Sequence, residues 1–178
     1  MKRNVSTFIL VFTVVSVCIS SNLVEANFFP PIPPKVNVYI RSDGTVSSSI
    51  VGIQRDGDVY VFTKSLNRHI LFVECDNIVI DGAGFSLKTD DVLDELFLVN
   101  CTNVTIKNMD VGGVSINGSS NIVVTQNTVE AITLSSSCSN QITGNNITGS
   151  GYTTAVYVHS GFIVQCDFWE QDYRFRRR

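Results

Sequence analysis

The sequence predicts an all-β fold, specifically a right-handed parallel β-helix (solenoid) of about five coils with an N-terminal β cap. Three observations carry this expectation. Apolar pairs recur at a fixed interval, the members of each pair alternate with polar positions, and an asparagine returns at one place in successive repeats.

The apolar repeat comes first. Leu96/Leu98, Val114/Ile116 and Ile132/Leu134 are spaced by 18, as are Val104/Ile106 and Ile122/Val124, with Ile142 continuing that series. Val111, Val129 and Ile147 form a third register at the same spacing. Alternation with period two marks strands buried on one face. A unit of this length is too short for a pair of helices, and three strands per unit stack naturally as parallel sheets. The preference of parallel crossovers for one hand makes the winding right-handed. An earlier coil reads as Ile70/Phe72, Ile78/Ile80 and Phe85, displaced by 26 because of an insertion around Ser86 to Glu95. Val156/Val158, with Val164 and Cys166, open a fifth coil displaced by 24.

The second ladder is polar. Asn77, Asn103 and Asn121 fall at one corner of successive coils, where stacked amides can bond along the axis; Ser139 replaces the Asn in the fourth. Cys75 and Cys101 share another corner position in adjacent coils, close enough for a disulfide, with a stacked free-thiol pair as the alternative of equal weight.

Outside the repeats the chain divides readily. Lys2, Arg3 and the apolar run Phe8 to Ile19 read as a signal peptide over residues 1–26, cleaved after Ala26; an uncleaved anchor is the weaker alternative because the run is too short to span a bilayer. No other stretch is apolar enough to cross a membrane. A proline-rich linker covers 27–35, cap strands 36–68, the helical coils 69–166, and an irregular tail 167–178. The chain is thereby expected to be secreted or extracytoplasmic. A net charge of −3, with basic residues bunched only at the C-terminus, gives no reason to expect a nucleic-acid partner. The apolar end of the fifth coil is a surface for self-association.

Val38-Tyr39-Ile40-Arg41-Ser42-Asp43-Gly44, Ile53 to Tyr60 and Asn77-Ile78-Val79-Ile80-Asp81-Gly82-Ala83-Gly84 resemble the opening of NosD-like β-helix proteins of the pectate-lyase-like superfamily. Asn103 to Asn108 and Ile142 to Ile147 resemble their repeats, so the likeness spans about residues 36 to 160. It implies an extracytoplasmic β-helix and relatives that bind or cleave polysaccharide. Longer members of that group carry more coils, so the chain also reads as a truncated piece of one.

Carbohydrate-cleaving enzymes on such a fold need paired carboxylates, or calcium carboxylates with a basic residue, on one outer face. The second strand's outer columns read Val79, Thr105, Val123, Gln141 and Asp81, Lys107, Thr125, Thr143. Those of the first strand read Leu71, Phe97, Ser115, Thr133, Tyr157 and Val73, Val99, Asn117, Ser135, His159. Neither face pairs acids, so no catalytic residue and no cofactor are assigned. Asp90, Asp91, Asp94 and Glu95 form an acidic loop better read as solvated than as a calcium site. His69, His159, Met109 and the cysteines do not converge, so no copper site or other metal centre is assigned. Tyr157 and His159 are an ordinary surface pair or, less favoured, a sugar-stacking pair. Asn100, Asn117 and Asn146 stand in glycosylation sequons. The expected role is a non-catalytic cell-surface or carbohydrate-binding module with a polysaccharide or cell-envelope partner. A lyase-like or hydrolase-like enzyme with an incomplete site is the alternative.

Overall fold

The computed structural model describes residues 35–47, 52–88, 95–148, 156–168 and 175–177, and their side chains other than those of 95, 160–168 and 175–177. All lie in the unit Pro34–Arg178. The segment read as signal peptide, residues 27–34 of the linker and the acidic loop at 90–94 fall outside the described residues, as does the side chain of Glu95.

The described residues are all-β, without a helix, and most strand pairings are parallel. The strands are β1 (Val36–Ile40), β2 (Ile53–Asp56), β3 (Val59–Phe62), β4 (His69–Val73), β5 (Ile78–Asp81), β6 (Ser86–Leu87) and β7 (Glu95–Val99). There follow β8 (Val104–Lys107), β9 (Asp110–Asn117), β10 (Val123–Thr125), β11 (Thr128–Ile147), β12 (Val156–Phe168) and β13 (Phe175–Arg177). One curled sheet joins them in the order β1-β4-β7-β9-β11-β10-β8-β5-β3-β2, with β12 and β13 continuing from β11 and β6 pairing β9.

Register follows the spacing of the apolar repeat. Val124 pairs Ile106 on one side and Ile142 on the other, and Val114 pairs Leu96 and Ile132. Val111 pairs Val129 in the third column. Each of these side chains is buried, and Ile106, Val124, Ile132 and Ile142 are at zero exposure, so the periodic apolar set is one continuous core. Val156 and Cys166 pair Ile132 and Ile142, the wider step expected of the fifth coil.

The first repeat differs from the expectation by a single position. Leu71 and Val73, not Ile70 and Phe72, pair Leu96 and Leu98 and are fully buried. Leu87, not Phe85, pairs Val111 in the core. Offsets are thus 25, 26 and 24 in the three columns rather than a uniform 26. The cause is a shorter corner: the step from Val73 to Ile78 is shorter by one than the step from Leu98 to Val104. A slip of one position exchanges the faces, so Phe72 and Glu74 stand outside where Leu71 and Val73 were expected.

Residues 36–68 do more than cover an end. β1 pairs β4 and β3 pairs β5 in parallel, adding a pass to the same columns. Among the described strands β2 alone runs antiparallel to its partner, as a hairpin with β3. The other free edge, that of β1, is met by the turn after it: Val46 bridges Ile40, and Ser47 bonds to Tyr39 through both its backbone and its hydroxyl. Such covering blunts an edge that could otherwise recruit another chain. At the far end, β13 pairs β12 in parallel, so the segment expected as an irregular tail contributes a strand.

The corners repeat too. Left-handed backbone recurs at Asn100, Gly118 and Ser136, at Asn77, Asn103, Asn121 and Ser139, and at Asn108, Gln126 and Gly144. Asparagine and glycine tolerate this conformation best, which explains their periodic placement. At Gly118 a Cβ would also meet Asn100 Oδ1 at 2.5 Å.

Candidate functional site

Correcting the first repeat changes the outer face of the first strand column. Its central column now reads Tyr39, Phe72, Phe97, Ser115, Thr133 and Tyr157. Tyr39 and Phe72 stack at 5.0 Å between centroids, and Phe72 and Phe97 at 5.1 Å, within 15° and 11° of parallel. The three rings form a ladder along the stacking direction, each covering its neighbour's face. Phe97 ends the ladder. Its next column neighbour is the short Ser115, and among the described residues no ring covers its second face.

Beyond Phe97 the face is polar and uncharged. Ser115 and Thr133 lie in the ring column, with Asn117 and Ser135 beside them. Tyr157 closes the stretch, with its ring 6.3 Å from that of His159 and 6° from parallel. Three strand spacings separate Phe97 from Tyr157, or about 14 Å. On the side of the ladder, Val99 is 40% exposed and Glu74 is exposed.

The second strand's outer face is tied internally. Lys107 Nζ lies 3.2 Å from Asp81 Oδ2, and Asn108 donates to Asp81 Oδ1 at 3.1 Å. Burial pushes the Asp81 carboxyl up, but the Ala83 backbone N–H, Asn108 and Lys107 outweigh it and hold it below the usual range. On the third face, Lys88 Nζ stands 3.1 Å from Glu130 Oε1 and 3.8 Å from Asp110 Oδ1. Its hydrogen bond to Glu130 raises the Lys88 pKa against partial burial. Two carboxylates therefore do approach one another, an arrangement that the projected columns of the first two strands did not contain.

The polar residues singled out in sequence are placed as follows. Asn103 Nδ2 donates to Asn77 Oδ1 at 3.0 Å, and Asn121 occupies the same left-handed column; all three are exposed. Cys75 and Cys101 are both buried free thiols. Cys101 Sγ donates to the Val73 carbonyl at 3.1 Å, and burial pushes its pKa up to about 11. Asn100, Asn117 and Asn146 are exposed. Met109 is buried in the core, and no group of three metal-ligating His, Cys, Asp or Glu residues occurs among the described residues.

Sequence reasoning missed the buried polar columns. Asn127, 3% exposed, accepts from Met109 N at 3.1 Å and donates to the carbonyls of Ile106 and Thr125. Asn145 repeats this one pass later, accepting from Asn127 N and donating to Val124 and Thr143. Ser119 and Ser137 likewise accept from the N–H of Cys101 and Ser119. The signal was the same repeat spacing, applied to polar residues that turn inward at corners.

No protein-family model, curated protein or solved structure matches the chain. Among the described residues no helix is long and apolar enough to cross a membrane.

Proposed function

We propose that the chain is a right-handed parallel β-helix of the NosD-like, pectate-lyase-like kind, exported by its N-terminal segment and acting as a non-catalytic carbohydrate-binding module of the cell surface. The strand pairings at a nearly constant sequence offset, with three columns per repeat, support the β-helix. The binding role rests on one observation: the outer face of the first strand column carries aromatic rings beside an uncharged Ser/Thr/Asn surface. Sugar recognition combines those two chemistries, since a pyranose offers apolar C–H faces and many hydroxyls. A glycan-array screen on the purified protein tests this reading. Binding of at least one polysaccharide class is expected, and a blank array overturns it.

One observation favours the alternative of a polysaccharide-active enzyme. Asp110 and Glu130 flank Lys88 on the third face, and a carboxylate pair with a basic residue is what such chemistry uses. Reducing-end assays on the glycans that bind decide between the two. Turnover abolished by Glu130→Gln supports the enzyme, and unchanged substrate supports the binding module.

A further inference from the structure

We propose that the stretch between Phe97 and Tyr157 is a subsite for a neutral glycan, with one pyranose lying on the open face of Phe97; this rests on the carbohydrate-binding reading above. Three features of the face lead to it. Phe72 covers one side of the Phe97 ring at 5.1 Å, and among the described residues no ring covers the other side, where the next side chain in the column is the small Ser115. The gap of about 14 Å to Tyr157 is longer than one sugar. The floor offers hydroxyls at Ser115, Thr133 and Ser135 and an amide at Asn117, groups that can both donate and accept.

Charge selects the class. None of these floor residues is cationic. In the neighbouring outer column the charged side chain nearer to Phe97 is Glu74, an acid, and Arg41 follows one pass further from the floor. A uronate carboxylate set on this floor loses water without gaining a counter-charge, which is costly. A neutral hexose or pentose polymer suffers no such loss. The ring ladder behind Phe97 adds rigidity, because a ring held by its neighbour forfeits little freedom when a sugar lands on it.

Isothermal titration of the purified full chain with neutral hexaoses (β-1,4-linked glucose, xylose and mannose) and with oligogalacturonate tests the assignment. At least one neutral hexaose is expected to bind. Phe97→Ala and Ser115→Phe, which fills the gap from an outward position, each weaken it by about tenfold or more, while Tyr39→Ala at the far end of the ladder stays within about twofold. Circular dichroism on each variant separates lost binding from lost fold, and Ser115→Phe serves if Phe97→Ala unfolds. Binding of oligogalacturonate alone overturns the neutral class yet leaves the carbohydrate-binding reading standing. Neutral binding indifferent to both variants overturns the placement. Failure of every glycan, here and on the array, overturns both.

Discussion

Residues 36–88 and residues 95–148 pass through the same three strand columns, but polar side chains hold them in different ways. In the first region single contacts close the end. Tyr60 Oη donates to the Gly44 carbonyl at 2.7 Å, and Arg55 donates to the same oxygen at 2.9 Å and to Gly57 O at 2.8 Å while lying 5.5 Å over the Tyr60 ring. Gly44 takes the left-handed backbone (φ 76°) that glycine adopts without strain, and a Cβ there would displace the Arg55 guanidinium, 2.3 Å away, from both bonds. Asp43 accepts from Thr45 N and Oγ1, which lowers its pKa and fixes the turn. In the second region the same contacts recur from pass to pass, with Asn127 over Asn145 and Ser119 over Ser137. A stack can thus be tied internally by repetition, but an end, which lacks a neighbour on one side, needs contacts of its own.

The largest expected effect tests the shared core. Val124→Asp or Ile106→Asp buries an unpaired charge at a position of zero exposure and is expected to cost about 4 kcal/mol or more, enough to unfold the domain. Thr125→Asp, the adjacent residue on the outer face, stays within about 0.5 kcal/mol. Equal losses in melting temperature for the two would break the assignment of faces.

Asn127→Leu tests the repeating region. It removes the acceptor of Met109 N and a donor to the Ile106 and Thr125 carbonyls, so a loss of about 1 to 3 kcal/mol is expected by urea denaturation. A neutral result would mean that the buried amide column is dispensable.

The junction between the regions is the third test. Oxidising Cys75 and Cys101 to a disulfide closes a loop across the insertion, and about 3 kcal/mol of added stability is expected, or roughly 6 to 12 °C in Tm. Thiol titration and melts with and without reductant check it, and an unchanged count of free thiols under oxidant excludes the bond.

The smallest effect belongs to the end contact. Tyr60→Phe removes the bond to Gly44 O, at a cost of about 1 kcal/mol, and faster hydrogen exchange is expected at the turn around Gly44. Burial raises the Tyr60 pKa above its ordinary 10.0. A raised folded value means that the contribution is complete below the ordinary pKa and lost as pH climbs through the folded one. The wild type should therefore lose stability more steeply in alkali than Tyr60→Phe, as followed by melts between about pH 8 and pH 11.

Much of the fold was legible in the sequence because periodicity is redundant there. From Leu96 to Ile147 each column position is confirmed by another one repeat away, and the pairings follow that spacing. The first repeat lacked such a check. His69-Ile70-Leu71-Phe72-Val73 is apolar on both alternating sets, so alternation alone could not choose a face. The length of the next corner decided it, and corner length is set by left-handed turns that apolar patterning does not report. The candidate glycan face is hidden by the same slip, since a register that turns Phe72 inward removes the middle member of the ring ladder. Asn127 and Asn145 escaped notice for another reason. A polar residue in a β-repeat is read as outward, yet at a corner the backbone itself needs partners, and an inward amide supplies them.

The even sequence offsets have a kinetic consequence. Val111 with Val129, Ile106 with Val124 and Leu71 with Leu96 each pair a residue with its counterpart in the next pass, and none of these pairings joins distant ends of the chain. Chain closure therefore costs about the same entropy at each step, wherever folding starts. In the β-helix proposed above, growth can spread from any formed pass to the next, as a zipper does, and a pull on either terminus should unravel it in discrete steps, one pass at a time.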